Sequence, residues 1–251
     1  MSLKLAFVAS LFLASTTHAA LTGCVVTATD FISTNHETGG FSTFTRYQVF
    51  ARFNGQSDTL LSCSNFCGVG FPCGSGTGDL YGDFWHYDDP NSGLMLRSDG
   101  SWDPALTGSA TTHRYRDSYL TIGGVAVANN STNATANWTS GGSGIHAGDA
   151  RGWDRADIVN NCLLGWFNSN PANLQGRVGV GTNTSTDVMI GQFILLATEA
   201  ARTYRLTFEY NDGTPGAGSI YAECEFEIGL CPSPGALAVF GLAGVVSRRR
   251  R

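Results

Sequence analysis

Lysine is nearly missing from this chain: Lys4 is the only one in 251 residues. The remaining positive charge is arginine, and Arg248 to Arg251 hold four of them in a row at the C-terminus. Between the two ends, 10 arginines stand against 20 carboxylates, a net charge of −10. That balance argues against nucleic acid or an anionic membrane surface as a partner of the folded part. Other absences narrow the class further. No Gly-X-Y period runs through the 32 glycines, so collagen is excluded. No apolar stretch is long enough to span a bilayer unaided. There is no His-Glu-x-x-His, no Gly-x-Ser-x-Gly elbow and no EF-hand order of aspartates. No Pro-rich or charged linker divides the chain, and no internal repeat is visible.

What is present points first to an address. Residues 1–19, MSLKLAFVASLFLASTTHA, carry one lysine, an apolar run from Leu5 to Ala14 and then small polar residues. This is the pattern of a secretory signal peptide, with cleavage expected between Ala19 and Ala20. Leu21 to Cys24 (LTGC) also resembles a lipobox, which would make Cys24 an acylated N-terminus, although Ser15 to His18 separate it from the apolar run. At the other end Gly235 to Ser247 is short for a span: as a helix it covers roughly 20 Å against ~30 Å of hydrocarbon. Snorkelling arginines extend its reach, and their charge would keep them cytoplasmic.

Residues 231–251, CPSPGALAVFGLAGVVSRRRR, thus combine Pro232-Ser233-Pro234-Gly235, a short apolar helix and Arg248, Arg249, Arg250 and Arg251. In that order and place they resemble the PEP-CTERM sorting signal, with Ser233 where the family usually has glutamate. The resemblance implies an exosortase-like membrane peptidase as partner, removal of the tail, and delivery to the cell surface or extracellular matrix of a bacterium. Before removal the tail would hold the protein in the membrane. Three further stretches, YQVFARF (47–53), RDSYLTIGG (116–124) and VMIGQF (188–193), resemble planctomycete-type PEP-CTERM proteins of unknown activity. They bring no catalytic residues.

The middle reads as strands. In TYRLTFEY, Tyr204, Leu206, Phe208 and Tyr210 alternate with polar residues. In SIYAECEFEI, Ile220, Ala222, Cys224, Phe226 and Ile228 do the same, and NDGTPGAG between them supplies turn residues. A period of two means one buried and one wet face, so the pair is expected to be an antiparallel hairpin with Tyr204, Leu206, Phe208, Ala222, Cys224 and Phe226 inward. RYQVFARF repeats the pattern with Tyr47, Val49, Ala51 and Phe53 inward. CVVTATDFI, SYLTIGGVAVA, NCLLGWF and DVMIGQFILLAT are β-rich, some of them apolar on both faces. DRADIVNN and TEAAR could each form a turn or two of helix. The expected fold is all-β: one antiparallel, jelly-roll-like β-sandwich over residues 20–230, between the signal peptide and the short C-terminal transmembrane helix.

Candidate chemistry is sparse. Seven cysteines follow the signal. In an exported protein Cys24, Cys63, Cys67, Cys73, Cys162 and Cys224 are disulfide candidates, and at least two bonds are expected. Their connectivity is not deducible, because six cysteines allow 15 pairings. One is left over, and either Cys231, beside the sorting signal, or Cys24, beside the possible lipobox, is a candidate for the odd one. GDLYGDFWHYDDPNSG (78–93) gathers carboxylates and aromatics. Asp83, Asp88 and Asp89 are a weak calcium set. Trp85 and Tyr87, with Trp102, are candidate glycan-binding aromatics. The bland alternative is a polar loop with its aromatics folded under it. His146 and Asp149 lie in a glycine-rich stretch with serines, but without a nucleophile motif. Asn129, Asn130, Asn133, Asn137 and Asn183 each begin an Asn-x-Ser/Thr triplet and read as part of an exposed polar segment. The reading that follows is an exported, sorted structural protein without catalytic activity, cofactor or metal. The alternatives are a carbohydrate-binding module for an extracellular polysaccharide and, further off, a secreted hydrolase.

Overall fold

The computed structural model describes residues 20–35, 38, 40–69, 84–87, 113–116, 118–123, 131–134, 153–156 and 164–230. These residues form strands β1 (Leu21–Asn35), β2 (Gly40–Phe53), β3 (Thr59–Gly68), β4 (Phe84–Tyr87), β5 (Tyr119–Leu120), β6 (Thr132–Ala134), β7 (Trp153–Ala156), β8 (Leu164–Asn168), β9 (Asp187–Leu196), β10 (Arg202–Asn211) and β11 (Ile220–Ile228). A single helical turn, α1 (His113–Arg116), precedes β5. The strands make two antiparallel sheets, β1-β2-β9-β5 and β11-β10-β3-β8-β6, with a separate ribbon of β4 and β7.

Alternation dictates which side chains the sheets bury. Tyr204 lies opposite Phe226, Leu206 opposite Cys224 and Phe208 opposite Ala222 across β10 and β11. Tyr204, Leu206, Phe208 and Phe226 are buried, while Ala222 and Cys224 pack against the same core. The hairpin reading therefore holds, with Glu223, Glu225 and Glu227 exposed on the other face. Those glutamates line an edge strand, where charge discourages pairing with another chain. In β2, Tyr47, Val49, Ala51 and Phe53 are all buried, again as the alternation requires.

One core joins the two sheets. Phe66 of β3 stacks on Tyr204 of its own sheet at 4.9 Å between ring centroids and on Phe193 of β9 in the facing sheet at 5.8 Å. Trp166 of β8 donates its indole N–H to the Thr121 carbonyl, 3.0 Å away beside β5, and so ties the sheets together. Each aromatic of this kind contributes roughly 1.5–3 kcal/mol through burial, and stacked pairs add about 0.5–1.5 kcal/mol.

β9 is apolar on both faces because both faces are covered. Val188, Ile190, Phe193 and Leu195 enter the main core, whereas Ile194 meets Phe44 and Trp85 in a second cluster on the outer side. Trp85 lies edge-on to Phe44 at 5.0 Å, and its carbonyl accepts from the Ser118 hydroxyl at 2.7 Å.

Three local expectations are corrected. Asp154, Arg155 and Ala156, expected in a helical turn, lie in β7, where pairing with Phe84 to His86 of β4 overrides local propensity. Residues 84–87, read as part of a loop, are strand. TEAAR forms a turn and an isolated bridge between Ala200 and Leu230, because Glu199 gives its carbonyl to the Leu230 N–H instead of to a helix. Among the described residues no helix is long and apolar enough to cross a membrane. The signal peptide and the C-terminal tail lie outside the described residues.

Candidate functional site

The outer face of the five-stranded sheet carries a groove of about 490 Å³ over β3, β8 and β10, lined by Ser62, Ser64, Phe167, Asn168, Pro171 and Glu209 among others. Strand register explains its composition. Glu209 pairs with Tyr221 of β11 on one side and with Ser62 of β3 on the other. Ser62 pairs with Phe167 of β8, and Phe167 with Asn133 of β6. Residues directly opposite in antiparallel strands share a face. Tyr221, Glu209, Ser62, Phe167 and Asn133 thus form one transverse row across all five strands. At ~4.8 Å between strands, Tyr221 and Phe167 stand roughly 14 Å apart.

The row is organised around one carboxylate. Glu209 accepts from the Ser62 hydroxyl at 3.0 Å and from the Tyr221 hydroxyl, and that hydrogen bond, with the carboxylate's charge, pushes the Tyr221 pKa up. Phe167 is 43% exposed and Tyr221 66% exposed, both large for aromatic side chains on a sheet face. The adjacent row places Ser64 opposite Thr207, whose hydroxyl accepts from the Asn65 amide at 3.1 Å.

Two devices shape this surface. At the β3 bulge Asn65 takes a left-handed conformation (φ 54°), which turns Phe66 into the core. Opposite it, a Cβ at Gly165 would stand 2.8 Å from the Cys63 carbonyl oxygen, so only glycine lets β8 approach so closely. The rim beyond β8 is fixed by an uncharged network. Asn168, Asn173 and Gln175 converge on Ser131, with Asn173 Nδ2 donating to the Ser131 hydroxyl at 2.7 Å. Gln175 donates to Thr132 at 2.9 Å and so holds β6 in place.

No family model matches the chain, and neither a curated protein nor a solved structure matches it.

The candidates named from sequence are not brought together here. Trp85 is fully buried in the second core cluster, which removes it from any glycan-binding surface. Its burial agrees with the alternative of aromatics folded under this segment, although residues 84–87 form a strand instead of a loop. Tyr87 lies at the end of β4 opposite Trp153. Trp102, Asp83, Asp88, Asp89, His146 and Asp149 lie outside the described residues, as do Cys73, Cys162 and Cys231. No group of three metal-binding side chains occurs among the described residues. Asn183 lies half-buried in an exposed polar stretch, and its amide braces the loop before β9 by donating to the Gln175 and Arg177 carbonyls, each at 2.8 Å.

No disulfide joins any two of Cys24, Cys63, Cys67 and Cys224, so the two expected bonds are not found among the described residues. Cys24 sits inside β1 opposite Ala51, so a lipobox cleavage there would remove the first residues of that strand. The groove itself was missed. Its signal, outward positions in alternating strands, is readable in TYRLTFEY and SIYAECEFEI. Only the order of the strands places those positions in one row.

Proposed function

We propose that this chain is an exported, non-catalytic β-sandwich of a bacterial cell surface or extracellular matrix, sorted through its C-terminal signal, that holds a neutral polysaccharide in the outer-face groove. The observation that carries the reading is the row Tyr221–Glu209–Ser62–Phe167–Asn133. Aromatic faces stack on the apolar faces of sugar rings, and the Glu209 carboxylate and Ser62 hydroxyl between them, with the Asn133 amide beyond Phe167, suit sugar hydroxyls. The glutamates of β11 beside the row disfavour an anionic chain by like-charge repulsion. The signal peptide and the Pro-Ser-Pro, apolar and arginine segments support export and exosortase-like processing. The finer class of the fold, jelly-roll-like, rests on the repeated crossing of the chain between the two sheets at β2–β3, β8–β9 and β9–β10.

Affinity electrophoresis tests the reading. The domain should be retarded in a gel containing hydroxyethyl cellulose and unaffected by polygalacturonate. Phe167→Ala and Glu209→Gln should each restore free mobility. Equal mobility of the parent protein in all gels would defeat the binding reading and leave a purely structural role.

A further inference from the structure

β1 and β11 are the outermost strands of their respective sheets, and they pack against each other to close one side of the sandwich. Each brings one inward-facing cysteine to that seam. Cys24 lies opposite the buried Ala51 and Cys224 opposite the buried Leu206, so both point to the core side of their strands. Both are only partly buried. The two thiols share a hydrogen bond, and the Cys24 backbone N–H also donates to the Cys224 sulfur.

We propose that Cys24 and Cys224 form a dithiol site that closes to a disulfide between the two edge strands when the protein meets a small-molecule disulfide oxidant. The proposal is independent of the polysaccharide reading. Alternation and register bring together two residues 200 positions apart, on strands from different sheets. Nothing else spans that seam covalently among the described residues. The third nearby thiol, Cys63, is fully buried on the core side of β3 between Phe208 of β10 and Trp166 of β8, and an oxidant does not reach it.

The asymmetry of the pair sets the order of events. The hydrogen bond from Cys24 holds the Cys224 thiol below its ordinary value, while the same bond, with burial, pushes Cys24 far up. Cys224 is therefore the attacking thiolate. Its sulfur bonds to one sulfur of the oxidant R–S–S–R, and the S–S bond breaks to release RS⁻. Cys24 then gives its proton to that thiolate and attacks the Cys224 sulfur, expelling a second RS⁻, which takes up the proton first lost from Cys224. Two protein thiols lose two electrons and two protons, and one oxidant disulfide becomes two thiols. The bond would pin the two strands most able to fray, since among the described residues each has a hydrogen-bonded neighbour strand on one side only.

The test uses the reduced full chain with oxidised glutathione, followed by alkylation, non-reducing peptide mapping and thermal melting. The expected result is one linked peptide pair containing Cys24 and Cys224, and a melting temperature higher by roughly 10 °C that dithiothreitol reverses. In Cys24→Ser, glutathione should remain attached at Cys224, because the resolving thiol is gone. In Cys224→Ser, adduct formation at Cys24 should be at least tenfold slower. Linkage of either residue to Cys63, Cys67, Cys73, Cys162 or Cys231 would overturn the proposal, as would full alkylation of both after oxidation. The map of the parent protein decides even if a serine variant folds poorly.

Discussion

Trp166 and Phe167 are neighbours in β8 that face opposite sides of the sheet, and replacing each by alanine should give opposite results. Trp166 is buried in the core and donates to the Thr121 carbonyl at 3.0 Å. Truncating a buried aromatic of this size costs about 3–5 kcal/mol, and losing the hydrogen bond adds about 1 kcal/mol. The total, about 5 kcal/mol, is a large part of the ~5–15 kcal/mol that holds a domain together. At 2–4 °C per kcal/mol, the melting temperature of Trp166→Ala should fall by roughly 10–20 °C. Phe167 already leaves 43% of its surface in water. Its truncation removes about half of the ~1.5–3 kcal/mol that full burial of a phenylalanine provides, so the melting temperature should fall by only a few degrees. Retention by hydroxyethyl cellulose should nevertheless vanish. Scanning calorimetry and affinity electrophoresis on the same two samples read both quantities. If Phe167→Ala destabilises as much as Trp166→Ala, the facing of β8 is wrong. If it leaves retention intact, the groove is not where polysaccharide sits.

Four further outcomes are expected. Gly165→Ala puts a Cβ against the Cys63 carbonyl and the Ser64 Cα, so β8 must move off β3; urea denaturation should show a loss of about 1–3 kcal/mol, with weaker polysaccharide retention. Asp187 is held below its ordinary value of 3.8 by two hydrogen bonds from Arg52, both 2.7 Å. Its stabilisation is present above pH 3.8 and is lost as pH falls through the lowered value, so the stability gap between the parent and Arg52→Gln should close on acidification. Asp58 behaves oppositely: burial pushes its carboxyl above 3.8, so the folded chain keeps a proton that the unfolded chain has lost. Stability should fall as pH rises from 3.8 through that raised value, and Asp58→Asn should remove this slope in denaturation curves. Deleting Arg248 to Arg251 should release the protein to the medium unsorted with its melting temperature unchanged; unfolding of the domain would instead make the tail part of the core.

Alternation carried most of what the sequence says about the fold. In β2, β10 and β11 a strict period of two names the buried face residue by residue, because a pleated strand can only send successive side chains to opposite sides. Tyr47, Phe53, Tyr204, Leu206 and Phe226 were legible for that reason. The all-β class followed from several such runs separated by glycine, asparagine and aspartate, without a stretch of helical periodicity. The period in β9 was legible only as burial on both faces; what covers the second face, Trp85 and Phe44, was not.

The tertiary structure alone decided which strands are neighbours. Local sequence sets the pairing of β10 with β11, since a short turn joins them, but β3 reaches β10 across more than a hundred residues, and no local signal marks that pairing. The transverse row exists only through this order: Glu209 and Tyr221 are read from one hairpin, whereas Ser62, Phe167 and Asn133 arrive from three separate segments. The meeting of Cys24 with Cys224 has the same origin, two edge strands from different sheets closing one seam. Trp85 shows the reverse case. The sequence left open whether it was a glycan-binding aromatic or one folded under its segment, and packing on β9 in the second cluster decided for burial. Side-chain facing is a property of a few consecutive residues, so sequence determines it; adjacency is settled by the competition of all strands for one core, so only the folded chain does.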